Sequence, residues 1–266
     1  MSATLVSVKG LRVEHRMADL VSARKLLAVE DVSFGIVRGD TLALVGESGC
    51  GKTTTARALL RLIDVSAGAI EYDGIDLLAL KGEPLRRHRK RMQIVFQDPY
   101  TSLNPRHTVA AIVGEGLIVH ALAKGAEITT RVTALLEEVG LTPSDLPRYP
   151  HELSGGQRQR VAIARALAVN PEFVVLDEAV SALDMTTQAQ VLRLLIELQR
   201  ESQTAVLFIT HDLGVVAETC DRALVMQRGR IVESATVDAL FHAPEHAYTK
   251  ELLAAMPRLD QTGRTA

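Results

Sequence analysis

The amino-acid sequence predicts an α/β fold in which helices cover both faces of a parallel β-sheet. Three short apolar runs, at Thr41–Val45, 173–176 and 205–209, have the composition of buried strands. Apolar residues at helical spacing follow the first run and separate the other two. These helical positions are Ala56, Leu59, Leu60 and Ile63, and then Val191, Leu194, Leu195 and Leu198. A glycine-rich stretch at residues 46–51 joins the first strand to its helix.

The composition limits the class of protein. Of the 266 residues, 47% are hydrophobic and 23% are charged, as in average globular domains. The formal net charge of −2 provides no basic field, so nucleic acid is not an expected partner. Cys50 and Cys220 lack the spacing of a zinc site or a disulfide framework. Together with the missing signal peptide, they favour a reducing cytoplasm.

No segment is predicted to cross a membrane. The longest apolar stretch, residues 109–123, is interrupted by Glu115 and His120 and is shorter than the ~20 residues of a spanning helix. If the chain serves transport, the membrane-spanning subunits must therefore be separate proteins.

The segments outside the parallel sheet have patterns of their own. Residues 5–8 and 32–36 alternate between apolar and other residues, which predicts antiparallel strands near the N-terminus. From about residue 100 to 168, helix-like runs occur without a strong strand signal, so a helical insertion is expected between sheet strands. After Glu233 the chain is predicted to become helical and to end in a polar tail at residues 260–266.

A phosphate-binding loop is predicted at residues 46–53, where the sequence fits G-x-x-x-x-G-K-[ST] between a strand and a helix. Glycines allow backbone N–H groups to form an anion cradle, and the helix N-terminus adds partial positive charge. Lys52 would reach the β- and γ-phosphates, and the Thr53 hydroxyl would bind Mg²⁺. A chance glycine turn is the alternative, and the flanking strand and helix disfavour it. The candidate nucleotide-binding residues are Gly46, Glu47, Ser48, Gly49, Cys50, Gly51, Lys52, Thr53 and Thr54.

Residues 153–160, LSGGQRQR, narrow the class of nucleotide-binding protein. A serine and two glycines again open a helix, which provides a second anion site, and Ser154 also suits the helix N-cap. The segment resembles the signature motif of ATP-binding cassette (ABC) proteins. The resemblance implies a head-to-tail dimer, in which this motif closes on the γ-phosphate held by the partner's phosphate-binding loop. The residues concerned are Ser154, Gly155, Gly156 and Gln157.

Two carboxylates follow the apolar run at residues 173–176, which is the Walker B pattern of the same family. Strand alternation is expected to send Asp177 and Glu178 in different directions. Asp177 is therefore expected to face Mg²⁺, and Glu178 to act as the general base toward the attacking water. Two solvated acids at a strand end are the alternative for this dipeptide alone.

Three further positions match the family in the correct order. Gln97 follows the strand-like residues 92–96 and matches the Q-loop, which implies a Mg²⁺ contact that also senses the membrane subunits. Residues 181–184 match the D-loop, so Asp184 is expected at the dimer interface. His211 follows the third apolar run and matches the histidine that holds the γ-phosphate.

The resemblance covers about residues 5–235 and implies the overall organisation. It implies a P-loop NTPase (RecA-like) parallel-sheet core with an N-terminal antiparallel β-subdomain, both within an ATPase domain of residues 1–240. ATP and Mg²⁺ are the implied cofactors. The implied partners are a second ABC ATPase subunit, identical or paralogous, two membrane permease subunits and an extracytoplasmic solute-binding protein reached through the assembled complex. The implied location is peripheral, at the cytoplasmic face of the inner membrane.

Two features depart from the family pattern. The family stacks adenine on an aromatic residue near the N-terminus, whereas the first aromatic residue of this chain is Phe34. The residue that contacts the base is therefore left open, with His15 or a nearby arginine as candidates. Ala179 stands where proline is commoner, which is expected to loosen the following turn slightly.

Two segments indicate the type of ABC protein. Residues 96–106 and 243–253 resemble the oligopeptide, dipeptide and nickel importer group, in which a short tail, here residues 241–266, follows the cassette. A peptide importer ATPase is therefore predicted. Residues 177–181 also resemble nickel-type members, which keeps nickel or another small solute open as the cargo.

Two other classes of protein fit less well. A non-transport ABC ATPase that acts on nucleic acid or ribosomes would use the basic run at residues 86–91, but helical spacing there indicates a solvated face. The chain is also short for the long insertion or the two cassettes that such proteins need. A kinase or small GTPase with the same loop would lack the signature motif.

Overall fold

The computed structural model describes residues 4–18, 23–181 and 183–256. The strands, in chain order, are β1 (Thr4–Ala18), β2 (Ala23–Val37), β3 (Thr41–Val45), β4 (Ala67–Tyr72), β5 (Ile75–Asp76), β6 (Met92–Val95), β7 (Phe173–Asp177), β8 (Ala205–Thr210), β9 (Arg222–Gln227) and β10 (Arg230–Thr236). The helices are α1 (Lys52–Leu59), α2 (Gly82–Arg91), α3 (Pro99–Ser102), α4 (Val109–Val119), α5 (Ala126–Glu138), α6 (Gly155–Leu167), α7 (Met185–Ser202), α8 (Leu213–Thr219), α9 (Val237–His242) and α10 (Ala247–Ala254). Two 3-10 turns lie at Pro143–Asp145 and Pro150–Glu152.

The predicted parallel sheet is confirmed. Six strands lie in the order β10-β9-β3-β8-β7-β6, and every neighbouring pair is parallel except the β10–β9 edge. All residues of β3, β7 and β8 are buried, which explains why these strands read as continuous apolar runs rather than as alternating ones.

The register of this sheet brings its functional loops together. Val45 of β3 pairs with Thr210 of β8, and Asp177 of β7 pairs with Ile209. The loops that follow β3, β7 and β8 therefore begin at the same edge, and β6 ends beside them because Val95 pairs with Leu176. The carboxyl edge of a parallel sheet is where such folds bind ligands.

The N-terminal strands form a separate antiparallel sheet in the order β2-β1-β4-β5, as the sequence predicts. Its apolar face shares one core with α1 and the central sheet. Representative members of this core are Leu5, Val32, Leu42, Ala56 and Leu207. The shared core fixes the N-terminal sheet against the loop that follows β3.

The chain between β6 and β7 contains helices α3 to α6 and the two 3-10 turns, in agreement with the predicted helical character. Val113, Val132 and Val161 from three of these helices pack in one core, which continues to Val174 of the central sheet. Within the described ranges, no helix has both the length and the apolar character that crossing a bilayer requires.

The prediction that the chain becomes helical after Glu233 was wrong by three residues. Strand β10 continues to Thr236, which pairs with Arg222 of β9. The sheet edge is partly exposed there, so β10 lacks the apolar run that marks the central strands. Thr236 then caps α9 by accepting a hydrogen bond from the Ala239 amide at 3.3 Å. The polar tail at residues 260–266 lies outside the described residues.

Candidate nucleotide site

Two glycines shape the loop between β3 and α1, and a side chain at either position would displace neighbouring backbone atoms. Gly46 and Gly51 have φ angles of 152° and 112°. A Cβ on Gly46 would lie 2.2 Å from the Met226 carbonyl oxygen, and one on Gly51 would lie 2.5 Å from that of Ala28. The loop therefore folds tightly against β9 and β2. It leads directly into the N-terminus of α1, where helix amide groups can bind an anion.

Lys52 is the first residue of α1, and its side chain is folded into the loop. The residue is only 4% exposed. Its ammonium group donates hydrogen bonds to the carbonyl oxygens of Gly46 at 2.7 Å and Glu47 at 2.8 Å. A positive charge is thus held against the carbonyl oxygens of the loop.

Thr53 and Asp177 join the loop to the central sheet. The Thr53 hydroxyl donates to Asp177 Oδ1 at 2.9 Å. Burial raises the pKa of Asp177, while the hydrogen bond from Thr53 lowers it in part. The two oxygen-bearing side chains thus lie together at the end of β7.

The side chains of Asp177 and Glu178 have different hydrogen-bond partners, as the sequence predicts. The cause is a turn of the backbone at Glu178 and not the alternation of side chains along a strand. Strand β7 ends at Asp177, and Glu178 takes the left-handed backbone conformation with a φ of 48°. Its amide donates to the Ile209 carbonyl oxygen at 2.9 Å, which closes the end of the sheet. The expected divergence is present, and it arises from this backbone turn.

The Glu178 carboxylate meets two of the other predicted residues. Gln97 donates from Nε2 to Glu178 Oε2 at 3.0 Å, and His211 Nδ1 lies 3.6 Å from the same oxygen. The Glu178 side chain is 15% exposed, whereas that of His211 is 59% exposed. Ends of β6, β7 and β8 thus supply one polar cluster.

The turn after Glu178 is closed by hydrogen bonds although proline is absent from it. The Ser181 amide and hydroxyl both donate to the Glu178 carbonyl oxygen, at 3.2 and 3.0 Å. Ala179 and Val180 are buried beneath this turn, at 1% and 3% exposure.

The signature segment forms a second cluster on the helical part of the chain. Ser154 caps α6 by accepting from the Gln157 amide at 3.2 Å, and Gln157 Oε1 accepts from the Ser154 amide at 3.0 Å. A Cβ on Gly156 would lie 2.4 Å from Thr187 Cγ2, so glycine permits the close approach of α7. Asp184 caps that helix by accepting from the Thr187 amide at 3.0 Å.

The two clusters adjoin different helices, α1 and α6, which belong to different hydrophobic cores. Helix α1 packs on β1, β2 and β7, whereas α6 packs on α3, α4, α5, α7 and the edge strand β6. The structure therefore brings Ser154, Gly155, Gly156 and Gln157 beside Asp184, and it brings Lys52, Thr53, Gln97, Asp177, Glu178 and His211 to the carboxyl edge of the sheet. Ser154 itself is exposed.

Sequence reasoning missed two residues at the sheet edge. Arg57 lines a cleft together with Thr53, Gln97 and Asp177, and its position four residues after Thr53 on α1 was the available signal. Tyr248 of α10 accepts a hydrogen bond from the Glu47 amide at 3.0 Å. No local sequence pattern links these two residues. The base-contacting candidate His15 has a side chain outside the part that the structure describes.

The family-model comparison decides the affiliation. Residues 29–181 match the model described as ABC transporter. The chain belongs to the ABC transporter family. Residues 232–266 match a second model, the oligopeptide/dipeptide transporter C-terminal region. The resemblance inferred from the sequence motifs, including the importer group, is thereby confirmed.

Individual relatives agree with this affiliation. This ABC cassette is 50% identical to the oligopeptide transport ATP-binding protein OppF of Bacillus subtilis, over 95% of this chain and 84% of OppF. It is 52% identical to the glutathione import ATP-binding protein GsiA of Pectobacterium atrosepticum, over 91% of this chain and 39% of GsiA.

A solved structure confirms the fold class. The dimeric ATP-binding cassette MJ0796, bound to ADP and Pi in a post-hydrolysis state, superposes with a TM-score of 0.79 at 29% identity. The match covers 87% of this chain and 98% of that one. The ABC cassette fold and the family match identify the chain as a nucleotide-binding ATPase.

Proposed function

We propose that this ATPase powers an ABC importer of di- and oligopeptides. The observation that carries the proposal is the match of residues 232–266 to the oligopeptide/dipeptide transporter C-terminal region. The names of OppF and GsiA, which refer to oligopeptide transport and glutathione import, support the same cargo class because glutathione is itself a small peptide.

The site supports one assignment of roles at the sheet edge. The loop amides and Lys52 bind the nucleotide phosphates, Glu178 accepts the proton of the attacking water, and His211 holds the γ-phosphate. Gln97 positions the Glu178 carboxylate, to which it donates at 3.0 Å. The proposed nucleotide-binding set is Gly46, Glu47, Ser48, Gly49, Cys50, Gly51, Lys52, Thr53, Thr54, Gln97, Ser154, Gly155, Gly156, Gln157 and Asp184.

The residues present fit Mg²⁺ that arrives with the nucleotide. The Thr53 hydroxyl and the Asp177 carboxylate lie 2.9 Å apart, and oxygen ligands of this kind suit Mg²⁺. The amide oxygen of Gln97 is the third protein ligand in the proposal. Among the described residues, no three His, Cys, Asp or Glu side chains form a metal site on their own. When bound, Mg²⁺ would neutralise charge on the phosphates.

Hydrolysis then follows from positioning and charge. Lys52 and the loop amides hold the phosphate chain, so the γ-phosphate faces the Glu178 carboxylate at the end of β7. Glu178 takes a proton from water as the water oxygen attacks phosphorus in line with the departing ADP oxygen. The hydrogen bond from Gln97 keeps the Glu178 carboxylate directed toward the cluster.

The proposed assembly contains two ATPase subunits, two membrane permeases and an extracytoplasmic solute-binding protein. Residues 1–240 form the ATPase domain, with a helical insertion at about 100–168, and residues 241–266 form the tail. The signature cluster of each ATPase subunit completes the nucleotide site of the other. Such a complex places this chain peripherally at the cytoplasmic face of the inner membrane, and ATP binding and hydrolysis drive alternating access.

Replacing Lys52 with alanine is expected to raise the dissociation constant for ATP by roughly 10- to 100-fold, because a charge-assisted contact to phosphate is lost. ATP titration of the purified subunit measures this change. The matched control is Lys124→Ala, which removes an exposed lysine elsewhere. Unaltered affinity together with normal hydrolysis would show that this loop is not the working nucleotide site.

The cargo is tested by uptake into vesicles that contain the chain, its permeases and its binding protein. ATP-dependent accumulation of labelled di- or oligopeptides, abolished by Lys52→Ala, is the expected result. Uptake of nickel without uptake of peptide would contradict the peptide proposal and leave the ATPase assignment intact.

A further inference from the structure

The C-terminal helix α10 reaches the phosphate-binding loop through one hydroxyl group. Tyr248 is 4% exposed, and its phenolic oxygen accepts a hydrogen bond from the Glu47 amide at 3.0 Å. The two residues are separated by 201 positions in the sequence. Burial raises the pKa of Tyr248, so the phenol stays protonated at neutral pH.

The hydrogen bond acts on a peptide unit that also holds Lys52. The Gly46 carbonyl and the Glu47 amide belong to the same planar unit. Its oxygen accepts from Lys52 Nζ at 2.7 Å, while its N–H donates to the Tyr248 hydroxyl at 3.0 Å. The plane is therefore fixed at both ends, and rotation that broke one contact would also disturb the other.

Glycine at position 46 makes this second contact important. Gly46 has a φ of 152°, and the residue has no side chain that could restrict the backbone. Contacts within the loop hold carbonyl oxygens: Lys52 and the Cys50 amide both donate to the Glu47 oxygen. Tyr248 adds a restraint from outside the loop, on the Glu47 amide. Glu47 is itself exposed, so without the Tyr248 hydroxyl its amide would lose the fixed acceptor that the structure gives it.

Helix α10 is itself held firmly by the end of the sheet. The Glu233 carboxylate of β10 accepts from the amides of Glu245 at 2.9 Å and His246 at 3.0 Å. The His246 side chain then caps α10 by accepting from the Tyr248 amide at 3.2 Å. Tyr248 also packs in a core with Val45 and Val225, which are strand residues of the central sheet.

We propose that Tyr248 is a positioning residue for ATP binding: through the Glu47 amide it orients the Gly46–Glu47 peptide unit that holds Lys52. The C-terminal segment is then a working part of the nucleotide site. This inference rests on the proposed role of the loop in binding phosphate. It differs from a packing role for Tyr248 because a packing role affects the stability of the fold without a selective effect on ATP affinity.

The Tyr248→Phe variant removes the acceptor and keeps the aromatic ring. We expect the dissociation constant and KM for ATP to rise roughly 3- to 10-fold, because the competent loop conformation is less populated. The kcat of the assembled transporter is expected to change by less than about twofold, since Tyr248 does not touch the reacting atoms. Amide exchange at Glu47 is expected to accelerate in the variant.

The matched control is Tyr72→Phe. Tyr72 is fully buried, and its hydroxyl donates to the Arg91 carbonyl oxygen at 3.3 Å, away from the loop. This variant is expected to lose stability without any change in ATP affinity or in exchange at Glu47. A folded Tyr248→Phe protein with wild-type ATP affinity, within about twofold, would overturn the inference.

Two further variants make every outcome decisive. If Tyr248→Phe does not fold, Glu233→Gln provides a second test because it weakens the anchor of α10. It is also expected to raise the ATP dissociation constant, and an unchanged value would overturn the inference.

The Lys52→Ala variant separates this inference from the proposed function of the loop. Loss of affinity in Lys52→Ala with none in Tyr248→Phe refutes only the role of Tyr248, whereas unchanged affinity in Lys52→Ala refutes the loop assignment and this inference with it.

Discussion

Replacing Glu178 with glutamine lowers ATP turnover by roughly 10²–10⁴-fold while ATP still binds, if Glu178 is the general base. Glutamine keeps the length and planarity of the side chain but cannot take a proton from water. The nucleotide contacts are expected to survive, because the phosphate-binding groups lie on the loop and on Lys52. The loss therefore appears in kcat rather than in the dissociation constant for ATP.

The measurement compares kcat of the reconstituted transporter with ATP affinity of the purified subunit. Glu137→Gln is the matched control, because Glu137 is an exposed residue on α5. It makes the same chemical change at a distance from the sheet edge. Unchanged kcat in Glu178→Gln would remove Glu178 from the catalytic role.

The sheet-edge site was predictable where its geometry follows from local sequence. A buried strand, a glycine loop and a helix in succession predicted the loop before Lys52, and the structure shows that arrangement. The convergence of β3, β7 and β8 follows because parallel strands present their carboxyl ends at one edge. Sequence order therefore located Asp177 and His211 correctly at that edge.

Features that depend on the backbone conformation of a single residue were harder to predict from the sequence. The sequence suggested that alternation separates Asp177 from Glu178, but the strand ends and Glu178 turns to a φ of 48°. A non-glycine residue in this region is uncommon, and it is retained because the Glu178 amide bonds to Ile209. No pattern of apolar residues encodes such a turn.

Contacts between residues far apart in the sequence were the part of the site that the sequence predicted least well. In the sequence, the segment that contains Tyr248 indicates only the importer group, because nothing in its local pattern points to a contact with Glu47. Strand β10 was missed for a related reason: an edge strand is half exposed, and Thr236 gives no apolar signal. Both features depend on neighbours that are distant in the sequence or invisible in a local pattern: Glu47 for Tyr248, and β9 for β10.

Replacing Ser154 with arginine is expected to abolish hydrolysis by the assembled transporter while leaving ATP affinity of the isolated subunit nearly intact. The signature lies 102 residues after Lys52 (154 − 52 = 102). The signature opens α6, which belongs to a core with α4, α5 and one set of residues of the central sheet. Helix α1 belongs to a different core, with the N-terminal sheet and another set of residues of the central sheet. Because Ser154 is exposed and α6 belongs to a different core from α1, the dimer model expects no contact between Ser154 and the nucleotide of its own chain. In a head-to-tail dimer, the added side chain would instead block closure onto the partner's nucleotide.

The arginine also removes a helix cap, so that effect needs its own control. Ser154 accepts from the Gln157 amide, and loss of such a cap costs about 1 kcal/mol of stability. Thr236→Arg makes the equivalent change at the exposed cap of α9, and it is expected to lower stability without affecting turnover. ATP binding by the isolated subunit and ATPase activity of the assembled transporter are measured for both variants. Equal loss of binding and hydrolysis in Ser154→Arg would contradict the dimer model, because both anion sites would then serve one nucleotide within one chain.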